Sequence, residues 1–203
     1  MNAPTEVQTL ISGTPFAGGF FAGQIRVCDQ VFGLIVAPKA EGEHDDTAWN
    51  KSRKRVEGAL SYLDGRANTM AMAEAGSKLA KWALGLRIAD HDDWYLPSLD
   101  ELEIIYRNLK PSADENYCWA RSGINLSSVP PQYPYTPDSP RQTDVEAFKA
   151  GAAEAFEAAW YWTSTQYASG SEYAWDQDFA GGDQYGGHKS DAYRARAVRR
   201  VKL

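Results

Sequence analysis

A chain of 203 residues with 43% hydrophobic and 24% charged residues is long enough to bury one sizeable core. Its net charge of -6 argues against general affinity for nucleic acid, and no stretch approaches the roughly 20 apolar residues of a membrane span. Two cysteines, Cys28 and Cys118, make neither a disulfide framework nor a CxxC site for zinc or redox work, and whether they pair is open.

Met1-Asn2-Ala3-Pro4-Thr5-Glu6 has neither the basic start nor the apolar run of a signal peptide. The expectation is a protein made in the cytoplasm that leaves, if it leaves, by another route such as inside a larger particle. An N-terminal segment of 1–15 is expected to precede one domain over 16–203. Residues 16–38 read as a β-hairpin. Gln24-Ile25-Arg26-Val27 alternates polar and apolar, Cys28-Asp29-Gln30 is the turn, and Val31 to Ala37 returns until Pro38 ends the strand.

Glu41-Gly42-Glu43-His44-Asp45-Asp46 reads as an acidic loop. His44 with Asp45 or Asp46 has metal-ligand chemistry, but carboxylates this close in sequence more often form a solvated loop or a helix N-terminus. Asp46 or Thr47 would cap a helix carrying Trp49, Val56, Leu60 and Leu63, with Gly65 as its stop. A second, Ala-rich helical stretch covers about 69–85, split at Gly76. His91, among Asp90, Asp92 and Asp93, reads as a polar turn before a buried Trp94. Ser98 and Glu101 then stand three apart, the spacing of a capping box, which accounts for Glu101 without catalysis. Leu99, Leu102, Ile105, Tyr106 and Leu109 form one face of that helix, and Pro111 ends it.

Residues 111–150 hold Pro130, Pro131, Pro134, Pro137 and Pro140, half of the ten prolines, and read as an inserted long loop or extended arm. Ala152 to Trp160 reads as a short helix leading into a strand, Tyr161-Trp162-Thr163-Ser164-Thr165. From Gln166 to Tyr193 there is no Leu, Ile, Val or Met, and 16 of the 28 positions are Tyr, Ser, Gly or Asp. That is the composition of binding loops, where Tyr supplies contact area at low entropic cost, and equally of a plain surface loop. Tyr193, Ala195 and Ala197 alternate with Arg194 and Arg196 as a strand does, and the Arg199-Arg200 pair marks a bulge or an end. Five basic residues between Arg194 and Lys202 are expected to pair with carboxylates or lie along an exposed strand face.

Three separated features carry a resemblance: Trp94-x-Leu96-Pro97-Ser98-x-x-Glu101-Leu102, then Trp162-Thr163-Ser164-Thr165, then Ala174-Trp175-x-x-x-Phe179-x-x-Gly182 followed by Arg196-Ala197-Val198-Arg199. In order and spacing they resemble the bacterial and phage family typified by the C-terminal domain of the Legionella collagen-like adhesin, which is similar to the C-type-lectin fold. The resemblance implies an α+β fold. N- and C-terminal strands would meet in one sheet, helices would pack on it, and a loop-rich second sheet would present a binding surface. The chain departs from calcium-dependent lectins, with no Glu-Pro-Asn, Gln-Pro-Asp or Trp-Asn-Asp, which argues against calcium-mediated sugar binding. It departs from the related formylglycine-generating enzymes as well, since no cysteine follows Cys118. A narrower resemblance is to phage variable tropism proteins, diversified by a retroelement near the C-terminus.

The resulting expectation is a non-enzymatic recognition module on a phage or prophage particle. It would bind a host cell-surface protein or glycan and assemble as a homo-oligomer, a trimer by resemblance. Its contact candidates are Tyr167, Ser169, Ser171, Glu172, Asp176, Asp178, Asp183, Gln184, Tyr185, His188 and Asp191. No cofactor, metal, nucleic acid or membrane insertion is expected. The competing expectation is a virion or assembly protein whose C-terminal face packs on another subunit. An enzyme is disfavoured because no Ser–His–Asp set, nucleophilic cysteine pair or phosphate loop stands out.

Overall fold

A computed structural model describes residues 10–203, so residues 1–9 of the expected N-terminal segment, with the Met1–Glu6 stretch, lie outside the described residues. The hairpin forms where alternation places it. Strand β1 (Pro15–Phe16) flanks β2 (Gly19–Val27), which pairs antiparallel with β3 (Gln30–Val36). Ile25 is buried and Arg26 exposed, and Cys28 turns the chain at φ 54°. The far end of the chain returns here. Strand β9 (Val198–Lys202) pairs antiparallel with β3, with Val198 opposite Val36, giving a sheet of order β1-β2-β3-β9.

The second sheet holds β4 (Glu43–Ala48), β5 (Trp160–Gln166), β6 (Tyr173–Asp178), β7 (Gln184–His188) and β8 (Ala192–Arg196), in the order β4-β8-β5-β6-β7. β5 and β8 run parallel and meet at Tyr161 and Arg194, while the other neighbours are antiparallel. The chain crosses between sheets at Ala197. Its N–H donates to Gly42 O at 2.8 Å and its carbonyl accepts from Ala37 N–H at 3.0 Å. The break expected at Arg199-Arg200 therefore falls earlier. Both arginines sit inside β9, Arg199 on Asp93 at 2.6 and 3.0 Å and Arg200 on Asp64 at 2.7 Å.

Among the described residues, four helices complete the α+β arrangement: α1 (Lys39–Gly42), α2 (Gly65–Glu74), α3 (Lys78–Gly85) and α4 (Leu99–Leu109). Gly76, at φ 89°, makes the turn between α2 and α3. The capping box of α4 is complete. Ser98 Oγ accepts from Glu101 N–H at 3.3 Å, and Glu101 Oε2 accepts from Ser98 N–H at 2.8 Å. Glu101 does more than cap. It is fully buried and also accepts from Tyr95 OH at 2.7 Å and Gly65 N–H at 3.2 Å, so it ties α4 to α2 and to the strand segment before the helix. Burial pushes its carboxyl above the ordinary range, and Arg200 nearby opposes that shift. Apolar residues of α4 pack with Leu34, Tyr161, Phe179 and Val198 in one cluster, while Trp49, Leu96, Trp162 and α2–α3 residues form another.

Three expectations fail, each for a tertiary reason. Residues 43–63 are not a loop followed by a helix. Arg194 on β8 reaches Glu43 and Asp45 at 3.1 Å each, drawing 43–48 into the sheet. Beyond it, Trp49 Nε1–H donates to Thr163 O at 2.8 Å and Val56 N–H to Gln166 Oε1 at 2.7 Å. Trp49 and Val56 are buried against β5 rather than along a helix, Leu60 and Leu63 are half-buried, and Gly65 starts α2 instead of ending one. Ala152 to Trp160 is likewise not helical. Phe156 stacks on Phe179 at 4.2 Å and Glu154 holds Arg196 at 2.6 Å, which fixes the segment as a connection after a short 3-10 turn, Glu146–Phe148. Finally, the polar run 166–193 contains β6 and β7, its strands carried by Tyr, Trp and Gln rather than by aliphatic residues.

The Pro-rich 111–150 stretch packs over the polar face of α4. Asn125 Nδ2 donates to Glu103 Oε2 at 2.7 Å and to Asp100 O at 2.8 Å, and Tyr135 OH donates to Glu103 Oε1 at 3.1 Å. Arg107, one turn on, holds Glu103 at 2.8 Å. The stretch thereby buries charged helix residues with their partners supplied. It also carries Trp119 out over the second sheet.

Candidate ligand-binding cleft

Register on β6 and β7 sorts the polar run onto two faces. Trp175 stands opposite Gly186 and Ala174 opposite Gly187. A Cβ at Gly187 would collide with Asp176, Tyr193 and Trp162, so only glycine lets that inner face close. At Gly186 the neighbour is the Tyr167 ring, on the outer face. Asp176 thus points inward beneath the sheet, while Tyr173 and Trp175 alternate to the outside.

The outer face holds a cleft of about 300 Å³ lined by Trp119, Ala120, Tyr167, Tyr173, Trp175, Gln184, Tyr185 and Gly186. Tyr167 and Trp175 lie with ring centroids 4.8 Å apart, and Tyr62 meets Trp175 edge-on at 6.1 Å. Trp119, Tyr185 and Tyr173, all among the lining residues, are 57%, 60% and 38% exposed; Tyr185 stands opposite Asp176 on the edge strand β7 and borders the cleft from there. Every lining side chain is uncharged. Arg121 sits nearby, its guanidinium 5.0 Å from the Tyr62 ring and paired with Asp100 at 3.3 Å. Gln184, only 2% exposed, finds no hydrogen-bond partner for Oε1 or Nε2 among the described residues, and neither does Trp175 Nε1. Such orphaned groups are uncommon in folded proteins.

Of the contact candidates, Tyr167, Gln184 and Tyr185 come together in this cleft. Asp178 and Asp183 line a neighbouring acidic cleft with Asp114, Glu115 and Trp160. Asp178 also accepts from Ala180 and Gly181 N–H at 3.0 and 2.9 Å, the work of a turn residue. Ser169 is exposed, and the half-buried Ser171 leans on Glu172. His188 meets Tyr173 edge-on at 5.5 Å and bonds Ser190 Oγ at 2.8 Å, and Asp191 accepts from His188 N–H at 3.2 Å. The surface role expected of Asp176 does not hold. It is 1% exposed, and burial raises its carboxyl to about 8, with Asp183 and Asp191 adding to the rise and the N–H groups of Gly187 and Tyr185 opposing it. Composition marked the run but could not separate its two faces.

Trp119, Ala120, Tyr173, Trp175 and Gly186 are the lining residues that sequence reasoning did not select. The alternation of Tyr173 and Trp175 with Ala174 and Asp176 is the signal that carried two of them. Trp119 arrives from the insertion and left none. Among the described residues, no three His, Cys, Asp or Glu side chains are grouped to hold a metal ion, and both cysteines are free and exposed. Among the same residues, no helix is long and apolar enough to cross a membrane.

A family model described as the Lcl C-terminal domain matches residues 28–199. Among solved structures the chain is similar to a fimbrial protein from Bacteroides ovatus, at 13% identity and a TM-score of 0.46, over 82% of this chain and 35% of that one. The chain therefore spans about a third of that protein. No curated protein matches it.

Proposed function

Because the chain belongs to the Lcl C-terminal domain family, we propose that it is a non-enzymatic recognition module that binds a cell-surface protein or glycan through the aromatic cleft of its second sheet. One observation carries this: exposed Trp119, Tyr173 and Tyr185 converge on a cleft whose lining includes Gln184 and Trp175, both with buried polar atoms that have no partner among the described residues. Exposed aromatic clusters on a rigid sheet are costly to keep in water unless something covers them. The absence of catalysis is supported by the scatter of His44, His91 and His188 over separate elements. A single cleft of this size binds weakly, so presentation on a homo-oligomer would add avidity.

The narrower proposal places the module on a phage or prophage particle with its C-terminal loops varied by a retroelement. It rests on the order of the sequence motifs. A near-copy of the 3′ coding end, differing mainly at adenines, would support it.

The test is binding of labelled protein to a panel of bacterial cells, beside a Tyr173→Ala/Tyr185→Ala variant that melts alike. Selective binding by the wild type, lost in the variant, is expected. Equal binding by both would remove the cleft from the contact. No binding to any cell would favour a face packed on another subunit.

A further inference from the structure

The cleft differs from its surroundings in charge. Asp178 and Asp183 line the neighbouring cleft, yet this cleft's own lining carries no charged side chain. A cationic ligand would find no carboxylate within it, and the neighbouring cation, Arg121, lies outside the lining, its guanidinium 5.9 Å from the Trp175 ring and paired with Asp100 at 3.3 Å. What the lining offers is of two kinds. Aromatic faces attract positively polarised C–H groups through the ring quadrupole. Gln184 contributes an acceptor, Oε1, beside a donor, Nε2, and Trp175 adds an Nε1–H donor, all three unpaired among the described residues.

A pair of neighbouring hydroxyls matches a carboxamide on both sides, because each hydroxyl donates and accepts. A carboxylate or phosphate would use only the donor. The cleft, at about 300 Å³, is at the small end of ligand sites, the scale of one or two sugar rings rather than a peptide segment. We propose that it is a metal-independent site for an uncharged pyranose, whose C–H face stacks on the aromatic wall formed by Trp119 and Tyr173 while its hydroxyls take up Gln184 and Trp175 Nε1–H. The carboxamide and Trp175 Nε1 have no exposed surface in the closed cleft, so entry requires a lining side chain to change rotamer, a fast surface motion. This assignment rests on the cleft being the contact face proposed above.

The test uses affinity electrophoresis through gels containing laminarin, mannan, dextran, xylan or galactomannan, with dextran sulfate and polygalacturonate as anionic comparators, all with EDTA present. Retardation of the wild type by at least one neutral polysaccharide is expected, unchanged when EDTA is replaced by calcium. Trp119→Ala is expected to weaken it about tenfold or more, as loss of an aromatic anchor does. Gln184→Leu separates function from folding. Removing an unpaired buried amide should leave the melting temperature equal or higher, while retardation falls by a similar factor.

Retardation only by the anionic polymers, dependence on calcium, or no retardation by any neutral polymer would overturn the assignment. If neutral polymers fail but cells are still bound through Tyr173 and Tyr185, the recognition reading stands with a protein ligand. If both assays fail, both readings fall.

Discussion

Asp176 shows how one residue can be placed by sequence and reassigned by structure. Its polar neighbours suggested a surface contact, whereas strand alternation turns it under Trp162 and Tyr193. Burial moves its carboxyl from 3.8 to about 8. Between those values the folded protein keeps a proton that the unfolded chain releases. Stability therefore falls as pH rises through that window, by up to about 1.4 kcal/mol per pH unit for one group. Burial also raises Glu43, Asp100, Glu101 and Glu103, and they add to the slope with the same sign. Asp176→Asn isolates one contribution. In denaturant melts from pH 5 to 7.5, the variant should lose stability less steeply than the wild type, with the gap widening as pH rises. Parallel profiles would mean that Asp176 does not titrate in that window.

At the scale of elements, α4 is the best-read part of the chain, because its cap is local. Ser98 and Glu101 needed only each other to be recognised. What the spacing could not show is that Glu101 also collects Tyr95 and Gly65, from separate segments. Glu101→Ala would strand those donors and Arg200 in the interior. An expected loss of about 3–5 kcal/mol, read by urea unfolding, follows from leaving buried groups unpaired. A loss under about 1 kcal/mol would reduce Glu101 to an ordinary helix cap. The expected helices at 47–63 and 152–160 failed for the converse reason. Their apolar spacing was real, but the partners that decided the backbone, Thr163, Gln166, Phe179 and Arg196, come from more than 20 residues away. The lining of the cleft was half legible on the same grounds. Tyr167, Gln184 and Tyr185 lie in the conspicuous polar run, while Trp119 is delivered by an irregular segment with no periodicity to read.

For the whole molecule, the closing strand joins both sheets and the helices. Tyr95 and Val198 exchange backbone hydrogen bonds at 2.9 and 2.8 Å, and β9 covers the edge of β3. Truncation after Ala197 should therefore abolish the cooperative transition seen by near-ultraviolet circular dichroism, since Arg199 and Arg200 leave with the strand. A truncated chain that still melts cooperatively would show β9 to be an accessory edge. The same scaffold fixes the cleft, as Trp175 is held from the strands and Trp119 from the insertion. Binding at the cleft is best tested by hydroxyl-radical footprinting of the protein on the panel cell that it binds most strongly. Trp119, Tyr173 and Tyr185 should be protected together, with Tyr133, exposed elsewhere on the insertion, labelled as in the free protein. Undiminished labelling of those three cleft residues on the bound protein would contradict the assignment of this face to recognition.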